Sequence, residues 1–227
     1  MNDSRLGAVA DVKGEVSKAP TKAQAKSHAT RTRIVRHAYE LFCELGYKGT
    51  TMDLIADRSG VAVQTVYFNY RTKDILLQAV HEWIVLGDDP TPPPLQDWNL
   101  AAMREPDARD VISRMVAGLA SIEARVARMI PVYHSVAQEP AGQVYRRSEE
   151  LRREGMREVV DALAGKTPLV PALTRDRAAD LIFFLTGPES YRALVLGAGW
   201  PHDEWVAWTS RTLCRDLFGD PPRSSGG

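Results

Sequence analysis

Between residues 30 and 80 the apolar side chains recur at a helical period that is broken twice, and this spacing limits the fold more than any other feature of the chain. Ile34, Ala38, Leu41, Phe42 and Leu45 fall three or four residues apart, which predicts one helix over "TRTRIVRHAYELFCELGY", closed by Gly46 as a C-cap. "TTMDLIADRSG" follows. Thr50 is placed to cap it, Asp53 stands three residues on as a capping-box carboxylate, and Leu54, Ile55 and Ala56 supply an apolar side. Gly60 gives the backbone freedom for a tight turn, after which Val61 and Val66 point back into a small core. Thr72 then caps a fourth helix, "TKDILLQAVHEWIVLG". Among the first three helices, the second and third are joined by a short glycine-containing turn, which is the helix-turn-helix arrangement.

The third helix of that set is unusual. "GVAVQTVYFNYRTKDILL" puts two tyrosines and a phenylalanine beside Gln64, Thr65, Asn69, Arg71 and Lys73. In a helix-turn-helix the second helix of the motif enters the DNA major groove and its N-terminal side chains meet base edges. Under that geometry Gln64 donates and accepts at once, which suits adenine, and Val63 packs on a thymine methyl. Thr65 reaches a base or a phosphate, and Asn69 adds a further polar contact. The Tyr67 hydroxyl reaches a phosphate, and so do Thr51 at the start of the preceding helix and Lys73 on the first turn of the next. Val66, with Phe68 or Tyr70, faces inward. The bland reading of any one of these residues is packing or capping; together, with the turn glycine, they favour a DNA-reading surface.

Charge agrees. The chain is neutral overall, but residues 1–80 hold 12 Lys and Arg against 8 Asp and Glu, a balance of +4, and the remaining 17 against 21 leave −4. A basic first third joined to an acidic remainder points to a polyanion meeting only the first third. Residues 1–28 have few large apolar side chains and read as a disordered basic arm, whose Lys13, Lys18, Lys22 and Lys26 either brush a phosphate backbone or stay in solvent. Residues 220–227 read as a tail.

The rest of the chain also reads as helix. "GDDPTPPPLQDW" is a proline-rich linker or surface loop. Helical periodicity resumes near Asp107 through Val111, Ile112, Met115, Leu119 and Ile122, and then Met129, Val132, Tyr133 and Val136, with Pro131 starting or kinking a helix. "GQVYRRSEELRREGMREVVDALAG" is amphipathic, with Leu151, Met156, Val159, Val160 and Leu163 inside and its Arg/Glu run solvated. Two more helical segments close the chain. There is no strand alternation, repeat or phosphate loop, so the expected fold is all-α: a three-helix DNA-binding domain at 29–75 and a larger helical domain at 76–219. No apolar run approaches the ~20 residues of a membrane span and the N-terminus lacks a secretory h-region, so a cytoplasmic protein without a membrane partner is expected. Cys43 and Cys214, the only cysteines, fit a reducing compartment.

The run from Leu-Phe-x-x-x-Gly-Tyr in the first helix, through Thr50-Thr51, Ile55-Ala56, Gly60-Val61 and Tyr67, to Lys73 and Leu76-Leu77 resembles the DNA-binding domain of the TetR (tetracycline-repressor-like) family of transcriptional regulators. The final segment, "RAADLIFFLTGPESYRALVLGAGWPHDEWVAWTSRTLCRDLF", is similar to the tail of one of its subgroups. One position departs: Ala62 stands where the family often has a capping Ser, which costs about 1 kcal/mol locally. The resemblance implies a homodimer on a near-palindromic operator and a helical C-terminal domain that pairs with its partner in a four-helix bundle. Here the bundle would use residues 175–187 and 203–217, with Leu181, Phe184, Leu185, Trp205, Trp208, Leu213 and Leu217 as its seam; the residues alone fit packing within one chain equally well. It also implies a small-molecule effector site near Trp83, Trp98, Met103, Met115, Leu119, Met129, Tyr133, His134 and Met156, a set that reads otherwise as plain core, with His134 either an orienting hydrogen-bond partner or a surface residue. The effector would act as a ligand-driven shift between two conformers, releasing a repressor from DNA.

No cofactor or metal is expected. The five histidines (28, 37, 81, 134 and 202) show no metal spacing and no nucleophile elbow is present, so an enzyme is not indicated. A redox sensor using Cys43 or Cys214, or a DNA binder without a ligand, are the alternatives.

Overall fold

The computed structural model describes residues 21–87 and 90–219, and these contain helices and no strand. The helices are α1 Lys22–Gly49, α2 Met52–Ser59, α3 Val63–Asn69, α4 Lys73–Leu86, α5 Asp97–Met103, α6 Ala108–Ser135, α7 Gln143–Ala164, α8 Arg175–Leu185, α9 Pro188–Tyr191 and α10 His202–Phe218. A π-helical turn, Arg192–Gly197, follows α9. The first three helices and the start of α4 form a small head. The long α6 is the axis of the body, packed by α1, α4, α5, α9 and α10, while α7 lies chiefly on α8.

In the head the expected inward residues are largely buried. Ile34, Ala38 and Phe42 are fully buried with Ile55, Val66, Leu76 and Leu77. Leu45 and Leu54 are exceptions, 50% and 41% exposed; α1 kinks at Gly46, with a φ of 70°, and it is Tyr47 just beyond the kink that turns inward and stacks on Phe42. Thr51, not Thr50, caps α2 by accepting from the Leu54 amide at 3.2 Å; buried Thr50 instead turns its hydroxyl onto the Gly46 carbonyl at 2.8 Å. Tyr70 is the inward aromatic of its pair, and Phe68 is 85% exposed.

α1 begins at Lys22, so the expectation of disorder up to residue 28 fails for residues 22–28; residues 1–20 lie outside the described residues, as does the 220–227 tail. Thr21 and Gln24 form a reciprocal capping box, Thr21 Oγ1 accepting from the Gln24 amide at 3.3 Å and Gln24 Oε1 from the Thr21 amide at 2.8 Å. These first turns bury almost nothing, so the cap and the helix-forming Lys, Ala and Gln residues sustain them.

In the body, a 3₁₀ turn at Pro93–Leu95 leads directly into α5, a helix hidden by the expected proline linker. α6 runs through Pro131 without ending. Leu151 is 53% exposed and does not belong to the inner face of α7, whereas Met156, Val160 and Leu163 do. The expected dimer seam is revised more deeply. Trp205, Leu213 and Leu217 are completely buried within their own chain, Trp205 donating its indole N–H to Ser190 Oγ at 3.1 Å, and Leu185 is buried too. A side chain with no exposed surface has none to give to a partner. Phe184, 61% exposed, and the half-buried Leu181 and Trp208 keep outward surface.

Candidate nucleic-acid interface

The turn between α2 and α3 is made by Gly60 at φ 62°, ψ 42°, a left-handed conformation that costs a residue with a Cβ roughly 1 kcal/mol. Its amide and that of Val61 donate to the Asp57 and Ala56 carbonyls, both at 3.1 Å, closing the end of α2. α3 then starts at Ala62, which offers no side-chain cap, and the Thr65 amide reaches the Ala62 carbonyl at 2.8 Å. Val66 and Tyr70, one turn apart, fix α3 to the head. The opposite face is therefore turned outward: Gln64 is exposed, Tyr67 is 48% exposed and Phe68 is bare. Val63 and Thr65 lie at the edge, half-buried. The three rings at the end of this segment serve two purposes, Tyr70 as an anchor and the other two as surface.

Three of the expected DNA-facing residues, Asn69, Lys73 and Thr51, carry structural bonds. Asn69 Oδ1 accepts from Arg31 Nε at 2.9 Å and its Nδ2 donates to the Thr65 carbonyl at 2.7 Å, which staples the end of α3 to α1. Lys73 Nζ donates to the Tyr47 and Thr50 carbonyls at 2.7 and 2.9 Å and sits 4.1 Å from the Tyr47 ring centre. Its ammonium thus satisfies carbonyls left over at the end of α1. Burial lowers its pKa while Asp74 and Glu139 pull the other way. Beside it the Tyr47 hydroxyl is hydrogen-bonded to Asp74, and burial with that carboxylate pushes the phenol upward. Thr51, exposed, keeps its hydroxyl on α2 as the cap. Arg33, Lys48 and Arg71 are further cations of the head that reach solvent.

In the body, the nine residues expected around an effector have different surroundings. Met115 and Met129 are core, with Cys43 Sγ 3.7 Å from Met129 Sδ. Trp98 lies across Gly118 and donates to Gln96 Oε1 at 2.6 Å. Leu119 and Met156 are buried and Met103 is half-buried. Trp83 meets Tyr39 edge-on at 5.7 Å and carries Arg36 over its ring. His134 points outward, 3.2 Å from Glu189, and lines no interior.

Tyr133 is different. Its hydroxyl is 2.8 Å from His81 Nδ1, and its ring lies parallel to that of Tyr145 with centres 4.5 Å apart. His81 is buried, and desolvation lowers its pKa to about 4. Further along α6, Glu123 is 3% exposed, and burial raises its carboxyl to about 8 against the pull of Arg152 and Arg125. Arg152 is held by Glu149 through two bonds of 2.9 and 2.8 Å, so part of the Arg/Glu run expected in solvent is inside. His81, Glu123, Tyr145, Glu149 and Arg152 were not expected as site residues. For Glu123 and His81 the signal was present: each interrupts an apolar stripe, between Leu119 and Val126 on α6 and between Leu77 and Ile84 on α4.

Residues 34–80 match the family model for bacterial regulatory proteins of the tetR family. The HTH-type transcriptional regulator UidR of Escherichia coli K12 is 27% identical over 159 residues, covering 69% of this chain and 68% of that protein, and the same protein of Shigella flexneri matches equally. Among solved structures, NalD of Pseudomonas aeruginosa, described as the secondary repressor of the MexAB-OprM multidrug efflux pump, superposes with a TM-score of 0.64 at 19% identity over 87% of this chain and all of its own. The fatty acid degradation regulator FadR of Bacillus halodurans gives 0.63 at 16% identity, over 81% and 94%. At such identities the superpositions speak for the fold.

Proposed function

We propose that the chain is a TetR-family DNA-binding transcriptional regulator, a repressor that reads a palindromic operator as a homodimer and is released by a small molecule held in its body. The observation that carries this reading is the outer face of α3, where Gln64, Tyr67 and Phe68 are presented by a helix anchored through Val66 and Tyr70. On this reading residues 29–75 are the DNA-binding domain and residues 76–219 the effector and dimerisation domain.

Gln64 reads a base edge, with Val63 and Thr65 at the groove wall. Tyr67 binds a phosphate. Thr51 and Lys73 hold the loop beside α3 and present their remaining hydrogen-bonding capacity to the backbone; Lys73 has two of its three N–H groups committed. Asn69 acts by fixing α3 against Arg31. The dimer would form on the outer faces of α8 and α10, where Leu181, Phe184 and Trp208 remain available. Two-fold symmetry then sets half-sites one DNA turn apart.

α4 joins the two functions. Lys73 at its start ties the head, His81 two turns on contacts the body through Tyr133, and the Ile84 carbonyl accepts from Arg125 Nε of α6 at 2.7 Å. An effector that prefers a displaced α4 lowers operator affinity by its differential affinity for the two states. Redox control gains no support from the thiols: burial pushes both Cys43 and Cys214 up, away from the reactive thiolate.

The test is selection of bound sequences from a random duplex pool by the purified protein at physiological salt. An enriched inverted repeat is expected. Salt-sensitive binding without any enrichment would overturn the reading of α3 as a sequence reader.

A further inference from the structure

We propose that Phe68 is a base reader: its ring packs on the C5-methyl group of a thymine on the floor of the operator's major groove, beside the base edge that Gln64 hydrogen-bonds. The inference rests on the reading of α3 as the recognition helix and adds the apolar half of what that helix recognises.

Phe68 is 85% exposed, more than any other large apolar side chain among the described residues. Single exposed apolar side chains are ordinary on a protein surface, so its direction carries the argument. α3 is anchored to the head by Val66 and Tyr70, both buried. At about 100° of turn per residue, Phe68 stands two residues from each anchor, about 200° round the helix, and so points directly away from the head core. Gln64 stands two residues before Val66 and lies about 40° from Phe68. The two therefore share the outermost strip of α3, one turn apart. Val63 and Thr65 are half-buried on its flanks. The fold has no use for the ring: Tyr70 is the inward aromatic of the segment, and Asn69 ties the end of α3 to Arg31.

A helix lying in the major groove turns this strip to the base edges. Phe68 has no hydrogen-bonding group, so it can bond neither a phosphate nor a polar base edge. The apolar group that base pairs present in that groove is the thymine methyl. Val63, expected from the sequence to pack on such a methyl, is half-buried and leaves this role to Phe68. The exposed cations Arg33, Lys48 and Arg71 belong to the same head and suit a polyanion, so the occupant of this face is the duplex and not an apolar protein partner. Side chains four residues apart on a helix start about 6 Å apart, close to two base-pair steps of about 3.4 Å. The thymine read by Phe68 thus lies one or two base pairs from the base read by Gln64.

The test starts from the operator enriched in the duplex selection. Each thymine is replaced in turn by deoxyuridine, in both half-sites at once. The base pair and its O4 acceptor stay, and only the methyl group goes. Affinity is read by fluorescence anisotropy at one salt concentration, for wild type and Phe68→Ala. Burial of one methyl group strengthens binding about fourfold. At one position per half-site, wild type should therefore lose about fifteenfold for the pair, whereas Phe68→Ala should bind both duplexes equally. The salt slope should be the same for the two proteins, since no phosphate contact is touched. Removal of so exposed a ring should leave the urea midpoint unchanged. Phe68→Leu, which keeps an apolar side chain, should retain most of the methyl dependence. An enriched operator with no uracil-sensitive thymine, or a Phe68→Ala protein that keeps the sensitivity, would overturn the assignment and leave α3 as the reader. A selection without any enriched operator would remove both.

Discussion

Replacing Glu123 with Gln should make the protein more stable relative to wild type as the pH rises, by an amount set by the Glu123 carboxyl alone, although a second buried group, His81, also shapes the pH dependence of each protein. Glu123 has its pKa raised from 4.5 to about 8, so the folded state binds a proton that the unfolded state releases. Its contribution is complete below pH 4.5 and is lost as the pH climbs through 8. His81 has its pKa lowered from 6.5 to about 4, so its contribution is complete above pH 6.5 and is lost as the pH falls toward 4. Each pH unit of mismatch corresponds to about 1.4 kcal/mol. Between pH 4.5 and 6.5 the two slopes oppose and cancel. Between 6.5 and 8 only Glu123 remains, and about 2 kcal/mol should go. Urea unfolding at fixed protein concentration, from pH 5 to 8.5, reads this directly. Glu123→Gln keeps size and hydrogen bonding and removes the titration. The difference between the two proteins isolates Glu123, since every other group titrates in both. Wild type should lose about 2 kcal/mol relative to the variant from pH 6.5 to 8, with the denaturant slope unchanged. A constant difference over that window would refute a carboxyl held protonated by burial.

Three further outcomes are expected. Gly118→Ala would put a Cβ 2.0 Å from Trp98 Cε3, so Trp98 must leave its seat and its bond to Gln96; a loss of about 1–3 kcal/mol in urea unfolding is expected, and wild-type stability would contradict the packing of α5 on α6. Gln64→Ala should relax preference at one base pair per half-site, by about 1–3 kcal/mol of discrimination, with an unaltered selection profile removing Gln64 from the readout. Lys73→Met should lower stability, because the Tyr47 and Thr50 carbonyls lose their donor, and should also reduce the salt slope of operator binding by about 1; a lower stability with an unchanged slope would confine Lys73 to the fold.

Lys73 shows where sequence reasoning stops. A lysine on the first turn of a helix beside a recognition helix looks like a phosphate contact, yet its nearest partners are carbonyls contributed by residues 23 and 26 positions earlier. Local periodicity found α1, α4, α6, α7, α8 and α10 because one helix face repeats every turn, and the capping residues and the Gly60 turn found α2 and α3. It missed α5, whose seven residues follow four prolines and are too few to show a period. Within the expected dimer seam, Trp205, Leu213 and Leu217 lie on an apolar stripe, and a stripe does not say whether its own chain or a partner covers it. Only the packing of α10 against α6 and α8 decides that.

The buried polar residues of the body were hidden differently. Arg152 sits in a run of charged residues, and its burial depends on Phe183 arriving from α8, while Glu149 one turn back on α7 supplies its carboxylate. Glu123 and His81, however, each occupy an apolar stripe where a polar residue costs stability unless something offsets it. Such interruptions are legible in the order of residues along a helix, whereas their partners, which come from other helices, are not. Glu123 Oε2 and His81 Nε2 have no partner, while most other buried side chains of the body are apolar or bonded. A Leu at 123 would pack the same stripe without a desolvation cost. Retaining a carboxyl there is a stability concession.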